Sequence, residues 1–150
     1  MGKNVISVEE VEPMETKGDD FKNCFCKFLI CKETMNTDAC MFRATFLPGG
    51  YHAPHIHTES DEFFYVISGG KAITGIADKI YEMKPGMCFC FPKNVSHWTK
   101  NIDKKEKLEL VTCYPHVGNI QESGYVYKGE KIPKDAEKYE KNEIEDIIKK

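Results

Sequence analysis

His55 and His57, with Ile56 between them, are the residues whose chemistry is easiest to read from the chain. In an extended strand successive side chains alternate faces, so the two imidazoles point the same way, roughly 7 Å apart along the backbone. Thr58 to Asp61 form a polar connection, and residues 62–67, Glu-Phe-Phe-Tyr-Val-Ile, are aromatic and β-branched enough to be the next strand, closed by Ser68, Gly69 and Gly70. That strand is expected to pair back beside the histidines, with Glu62, Phe64 and Val66 facing inward. A carboxylate at the head of an apolar face needs a partner to offset its desolvation, and a cation is the natural one. A further imidazole comes from His97, at the start of a strand that follows the turn around Pro92 to Asn94. Antiparallel return of that strand brings His97 to His55 and His57, so three imidazoles and one carboxylate are expected around one cation.

The elements needed to hold these residues are short strands separated by turns. Strands are expected over 5–11, 23–31, 40–47, 53–58, 62–68, 71–77, 79–83, 87–91, 95–100, 107–114 and 124–128, with Gly or Pro at many boundaries, the pattern of a sandwich closing into a barrel. From Pro133 the composition changes. Ala136, Tyr139, Ile144, Ile147 and Ile148 recur at helical spacing among Lys and Glu, with Asp135 early and Lys149 and Lys150 at the end, as a helix dipole favours. The expected organisation is therefore one β-barrel over 1–132 and an amphipathic helix over 133–150, which covers the barrel or pairs with a second subunit. No internal repeat suggests a second barrel.

With these residues in place, the chain resembles the cupin superfamily, whose small barrels carry two signature blocks. The first block is matched at every fixed position by Gly49, His55, His57, Glu62 and Gly69, so it runs over 49–69. The second, over 86–101, is matched by Gly86, Pro92, His97 and Asn101, while Asn94 stands where the family has its second glycine. Asn is the next best residue for a left-handed backbone, so the turn survives the exchange. The sixteen residues between the blocks, 70–85, leave room for two short strands. The resemblance covers about a third of the chain. It implies an all-β fold, the double-stranded β-helix or jelly-roll barrel of RmlC-like proteins, with a short C-terminal α-helix. It also implies that His55, His57, Glu62 and His97 are the metal ligands.

Three neutral imidazoles and one carboxylate leave a divalent ion with a residual charge near +1 and two positions of a six-coordinate shell free. This favours Fe, Mn, Ni or Co over Zn, for which four protein ligands complete a tetrahedron. Such a centre suits a small oxygenated metabolite, and dioxygenases, decarboxylases, lyases and isomerases all occur among the cupins the chain resembles. The catalytic acid or base has no sequence signal. The alternative is a noncatalytic module that senses a small molecule or metal, supported by a filled barrel interior.

The rest of the composition narrows the partners. At 150 residues the chain has the size of one domain. Its 21 Lys and Arg against 24 Asp and Glu give a net charge of −3, which speaks against nucleic acid and against a polybasic membrane patch. No apolar run reaches the roughly 18 residues of a membrane span and no signal peptide opens the sequence, so a cytoplasmic location is expected. The seven cysteines are odd in number and read as reduced thiols. Cys24 and Cys26, like Cys88 and Cys90, each share one face of a strand and default to packing. His52 has the opposite strand parity to His55 and is expected at the mouth or surface. His116 is a weak candidate for substrate contact. Tyr51, Tyr65, Lys93 and Trp98 are expected at edges or outer faces. Phe63, Tyr65 and Ile67 form an apolar outer face on which a homodimer is expected to form.

Overall fold

Three strands set the barrel interior by alternation. The inward residues are buried at every second position, Cys40, Phe42, Ala44 and Phe46 on the first half of Cys40–His57, Glu62, Phe64 and Val66 on Glu62–Ser68, and Leu108, Leu110, Thr112 and Tyr114 on Leu108–Tyr114, where Glu109 is buried as well. A period of two can bury only one face of a sheet, so the sheet must curl around these side chains. The computed structural model describes residues 3–141. Its strands are β1 Met14–Glu15, β2 Phe21–Ile30, β3 Cys40–His57, β4 Glu62–Ser68, β5 Ala72–Ile76, β6 Lys79–Met83, β7 Cys88–Phe91, β8 His97–Asn101, β9 Leu108–Tyr114 and β10 Tyr125–Tyr127. A short helix α1, Lys32–Met35, links β2 and β3.

All ten strands belong to one antiparallel sheet with the central order β6-β5-β8-β3-β9-β4-β7. β3 is the hinge of the topology. Its first half pairs with β9 from Cys40 opposite Tyr114 to Phe46 opposite Leu108. Its second half pairs instead with β8 and β10. The change of partner falls at Leu47-Pro48-Gly49-Gly50, where Gly49 has φ +73°, a conformation that costs a side-chain-bearing residue strain. One strand thus passes from one wall of the barrel to the other, which is the jelly-roll arrangement and the all-β fold expected.

Two boundaries differ from the sequence reading in a simple way. Residues 40–47 and 53–58, expected as two strands, are the ends of the single β3. The strand expected over 5–11 is instead a 3₁₀ turn, Val8–Glu10, because Ser7 and Glu10 form a reciprocal capping box that satisfies the backbone N–H groups locally.

The tail is described only in part. Lys134–Ala136 is a 3₁₀ turn and residues 137–141 are helical. Ala136 is buried with Ile73, Trp98 and Ile102, and Tyr139 packs on this second apolar cluster. The segment therefore covers the outer side of β5 and β8. Ile144, Ile147 and Ile148, the rest of the expected helical stripe, lie outside the described residues. Trp98, expected at an edge or outer face, is only 3% exposed. Its indole lies across Gly75, where a Cβ would sit 1.9 Å from Nε1. Asn94 has φ +63°, as the left-handed turn demands.

Candidate metal centre

β3 and β8 position two of the expected ligands directly. His55 pairs with His97 across the antiparallel ladder, and their rings lie 4.2 Å apart. His57, two residues on, faces the same side, with its ring 5.1 Å from that of His55. Glu62 reaches them from elsewhere. β4 pairs with β7 and β9, so the carboxylate crosses the barrel interior rather than lying beside the histidine strand as expected. The outcome is the predicted cluster. His55, His57, Glu62 and His97 are between 1% and 4% exposed, and one potential ligand atom from each lies within 4.8 Å of every other.

The outward nitrogens decide which atoms face the centre. His55 Nδ1 lies 2.8 Å from the carbonyl oxygen of Ala53 and His97 Nδ1 lies 3.0 Å from that of Val95. A carbonyl only accepts, so each Nδ1 carries the proton. His57 Nδ1 is 2.8 Å from Ser123 Oγ, and that hydroxyl donates to the Ile120 carbonyl at 2.6 Å, which leaves its oxygen to accept from His57. All three imidazoles are thereby fixed with Nε2 toward the carboxylate. Glu62 Oε2 is 2.8 Å from His97 Nε2 and 3.3 Å from His57 Nε2. His55 Nε2 is buried and has no hydrogen-bond partner among the described residues. Buried nitrogens are rarely left so, and a cation at the shared point satisfies all the donors at once.

The electrostatics agree. Burial pushes the Glu62 carboxyl upward, but its close contacts with the His57 and His97 rings outweigh it and hold the group well below the usual carboxylate range. Burial, helped by nearby His97, lowers His55 from 6.5 to about 3, so it stays neutral and able to donate its lone pair. Tyr114 donates its hydroxyl to Glu62 Oε1 at 2.8 Å and is pushed well above the ordinary tyrosine range, first by burial and then by Glu62. One carboxylate oxygen is thus committed to Tyr114 and the other is free to bind a cation.

His52 is not a surface residue. Its ring stacks on His55 at 3.7 Å and on Phe21 at 4.0 Å, and its Nε2 lies 3.0 Å from Tyr125 Oη. Tyr125 in turn donates to Asp20. The reason is a bulge: between the pairs His52–Thr99 and His55–His97, β3 uses one residue more than β8. The extra residue restores the parity of His52, and Pro54 inside the bulge needs no ladder partner for a missing N–H. Asn101, the last residue of the second block, is structural: its side-chain amide donates to the carbonyls of Phe46 and Glu106, both at 2.9 Å. His116 is exposed with φ +60° and takes no part in the cluster. Lys93 and Tyr65 are exposed, and Tyr51 is half-buried. Cys24 and Cys26 are buried together inside, whereas Cys88 and Cys90 are exposed together outside.

Sequence reasoning missed Tyr114, Ser123, Tyr125 and Asp20. For Tyr114 a signal was present, since it closes the inner face Leu108, Leu110, Thr112 as a polar-tipped residue. Ser123 sits in the 3₁₀ turn Ile120–Ser123 and carries no spacing signal. A cavity of about 340 Å³ opens beside the cluster, with Glu62, His52, Tyr114 and Tyr125 in its wall.

Comparisons with known proteins point one way. The family profile described as Cupin domain matches residues 42–114. Germin-like protein subfamily 2 member 4 of Arabidopsis thaliana is 30% identical over 76 residues, which span 48% of this chain and 34% of that protein. Oxalate oxidase 1 of Hordeum vulgare is 30% identical over 95 residues, 58% of this chain and 44% of that one. The chain therefore spans less than half the length of these curated relatives. Among solved structures, a cupin-like protein of Thermotoga maritima superposes with a TM-score of 0.67 at 21% identity, over 87% of this chain and 93% of that one, which is a likeness of fold.

Proposed function

Since the chain belongs to the cupin superfamily, we propose that its four-residue cluster holds a divalent transition metal and that the protein is a metalloenzyme acting on a small oxygen-bearing molecule. The observation that carries this reading is His55 Nε2, a buried nitrogen whose ring is locked by Ala53 and which has no protein partner among the described residues. The same residues would hold the ion: Nε2 of His55, His57 and His97, and Oε2 of Glu62. Three nitrogens with one oxygen suit Fe, Mn, Ni or Co better than Zn, which four protein ligands would close off. A bound ion of this kind supplies Lewis acidity toward a substrate oxygen. The protein's own part is to keep His55 neutral, to aim the Nε2 atoms of all three imidazoles at one point, to orient Glu62 through Tyr114, and to hold the reacting end of the substrate away from water.

The named relatives include an oxalate oxidase, which supports oxygen-dependent chemistry ahead of lyase or isomerase chemistry. The open cavity beside the cluster favours an enzyme over a noncatalytic sensing module, which would fit a filled interior. Four cysteines buried as free thiols support a reducing, cytoplasmic location, for which cell fractionation is the check. Protein purified without oxygen is expected to carry one metal ion per chain by mass spectrometry. The double variant His55→Ala, His57→Ala is expected to keep its β-sheet circular dichroism and lose that ion. Undiminished metal in the variant would refute the ligand assignment.

A further inference from the structure

The wall of the cavity beside the cluster carries information that metal binding alone does not use. At about 340 Å³ it is large for its site. Apolar cavities of about 150 Å³ take benzene, so this one has room for two fused rings. Its buried wall is built from Phe42, Ala44, Phe46, Phe64, Cys24 and Cys26. Glu62 lies in its wall at the donor cluster, and its other charged lining residues, Glu15 and Lys17, are exposed. Among the described residues, no Lys or Arg lines the buried part of this wall. A linear dicarboxylate long enough to span the cavity would keep one carboxylate at the donor cluster and press the other against aromatic rings, where nothing offsets its lost hydration.

A second observation is independent of the metal. Thr112 lines the same cavity, is 1% exposed, and its Oγ1 has no hydrogen-bond partner among the described residues. By register it stands between Phe42 and Phe64, one on each neighbouring strand. It lies two residues before Tyr114, whose hydroxyl marks the level of Glu62. One pleat repeat, roughly 7 Å, therefore separates the Glu62 level from an unused hydroxyl, with aromatic faces on both sides.

We propose that this cavity takes a flat, apolar molecule of about two fused rings with an oxygen at each end, one at the donor cluster and the other hydrogen-bonded to Thr112, and that it disfavours linear dicarboxylates that span it. The placement of the first oxygen rests on the metal reading given above; the Thr112 contact does not. Thr112 is then a specificity-determining residue, selecting among aromatic ligands by the position of their second oxygen.

The full chain, loaded with Co(II) or stripped with chelator, is titrated calorimetrically with 2-naphthol, naphthalene-2,7-diol and adipate. The diol is expected to bind the Co(II)-loaded protein about 5- to 10-fold more tightly than the mono-ol, the worth of one buried hydrogen bond. Thr112→Val keeps the shape and removes the hydroxyl, so it is expected to erase that difference while leaving the 2-naphthol affinity and the Co(II) content unchanged. Ala44→Phe fills the cavity and is expected to abolish binding of both naphthols at unchanged Co(II) content. If a protein holding one Co(II) binds neither naphthol, or binds adipate more tightly than both, the ligand class is wrong and the metal reading stands. If no Co(II) is taken up, the metal reading fails by itself. The stripped protein then decides the cavity assignment: a diol preference lost in Thr112→Val upholds it, and equal affinities for the two naphthols reject it.

Discussion

Three buried imidazoles whose Nδ1 atoms are already committed to acceptors have one use left for Nε2, and that use depends on the acceptors being right. Ala53 and Val95 contribute carbonyls, which mutation cannot remove, but the acceptor for His57 is a side chain, Ser123. Ser123→Ala is therefore expected to leave the fold intact while freeing the His57 ring to rotate and change tautomer. Loss of such an outer partner typically weakens metal affinity by about 10- to 100-fold. Competition with a chromophoric chelator measures this directly, and an unchanged affinity would show that packing alone orients His57. The clustering of the four residues was legible in the chain: His-x-His and the position of Glu62 at the head of an apolar strand translate directly into geometry, and His97 followed from the antiparallel return of its own strand. Ser123 was not, since its 3₁₀ turn meets His57 only once the chain has closed on itself 66 residues later. The strand parity of His52 failed for a different reason, although the residue stays outside the donor cluster and lines the cavity. Strand parity counts residues, and the bulge that overrides the count exists only in the pairing of β3 with β8.

At the scale of the element, β3 shows what alternation can and cannot reveal. The inner faces of β4 and β9 follow from period two, and the sequence reading placed Phe64 and Val66 inside correctly. That residues 40–57 form one strand serving two walls was hidden by Pro48, Gly49 and Gly50, which in sequence look like an ordinary turn. The complementary face of β4 is the one that needs a partner. Phe63, Tyr65 and Ile67 are 40%, 49% and 39% exposed, and beside them β7 ends the sheet with Cys88 and Cys90 also outward. An apolar stripe next to a strand edge that is unpaired among the described residues is the kind of surface that proteins cover. We propose that two copies associate through it as a homodimer. Light scattering is expected to give twice the chain mass for the natural protein and the single mass for Tyr65→Glu combined with Phe63→Lys, because charge at the centre of an apolar interface is poorly tolerated. A natural protein that stays monomeric at high concentration would overturn it.

For the whole molecule the same burial that prepares the site makes the barrel sensitive to acid. His55 is lowered from 6.5 to about 3, and His52 is also held well below 6.5 by its burial and by His55 beside it. Below pH 6.5 the unfolded chain takes up protons at these positions and the folded chain does not, so stability falls as the pH falls. The contribution of His55 is fully present above 6.5, is lost progressively on acidification, and is exhausted near pH 3. Glu62, whose folded value is also depressed, adds a loss of the same sign once the pH passes below its ordinary 4.5. Each unit of pH between the two values of His55 is worth about 1.4 kcal/mol, so acidification from pH 6.5 to about 4 removes on the order of 3 kcal/mol through this residue alone. That is a large share of the roughly 5–15 kcal/mol of a typical domain. Chelator-treated protein is therefore expected to show a steep drop in urea midpoint across this range, and a His52→Phe, His55→Phe variant a shallower one, since neither ring then takes up a proton on unfolding. Metal-loaded protein is expected to be more stable at neutral pH and to lose more on acidification, because release of the ion adds to proton uptake by the unfolded chain. Equal slopes for wild type and variant would mean that the two histidines do not remain neutral inside the folded barrel.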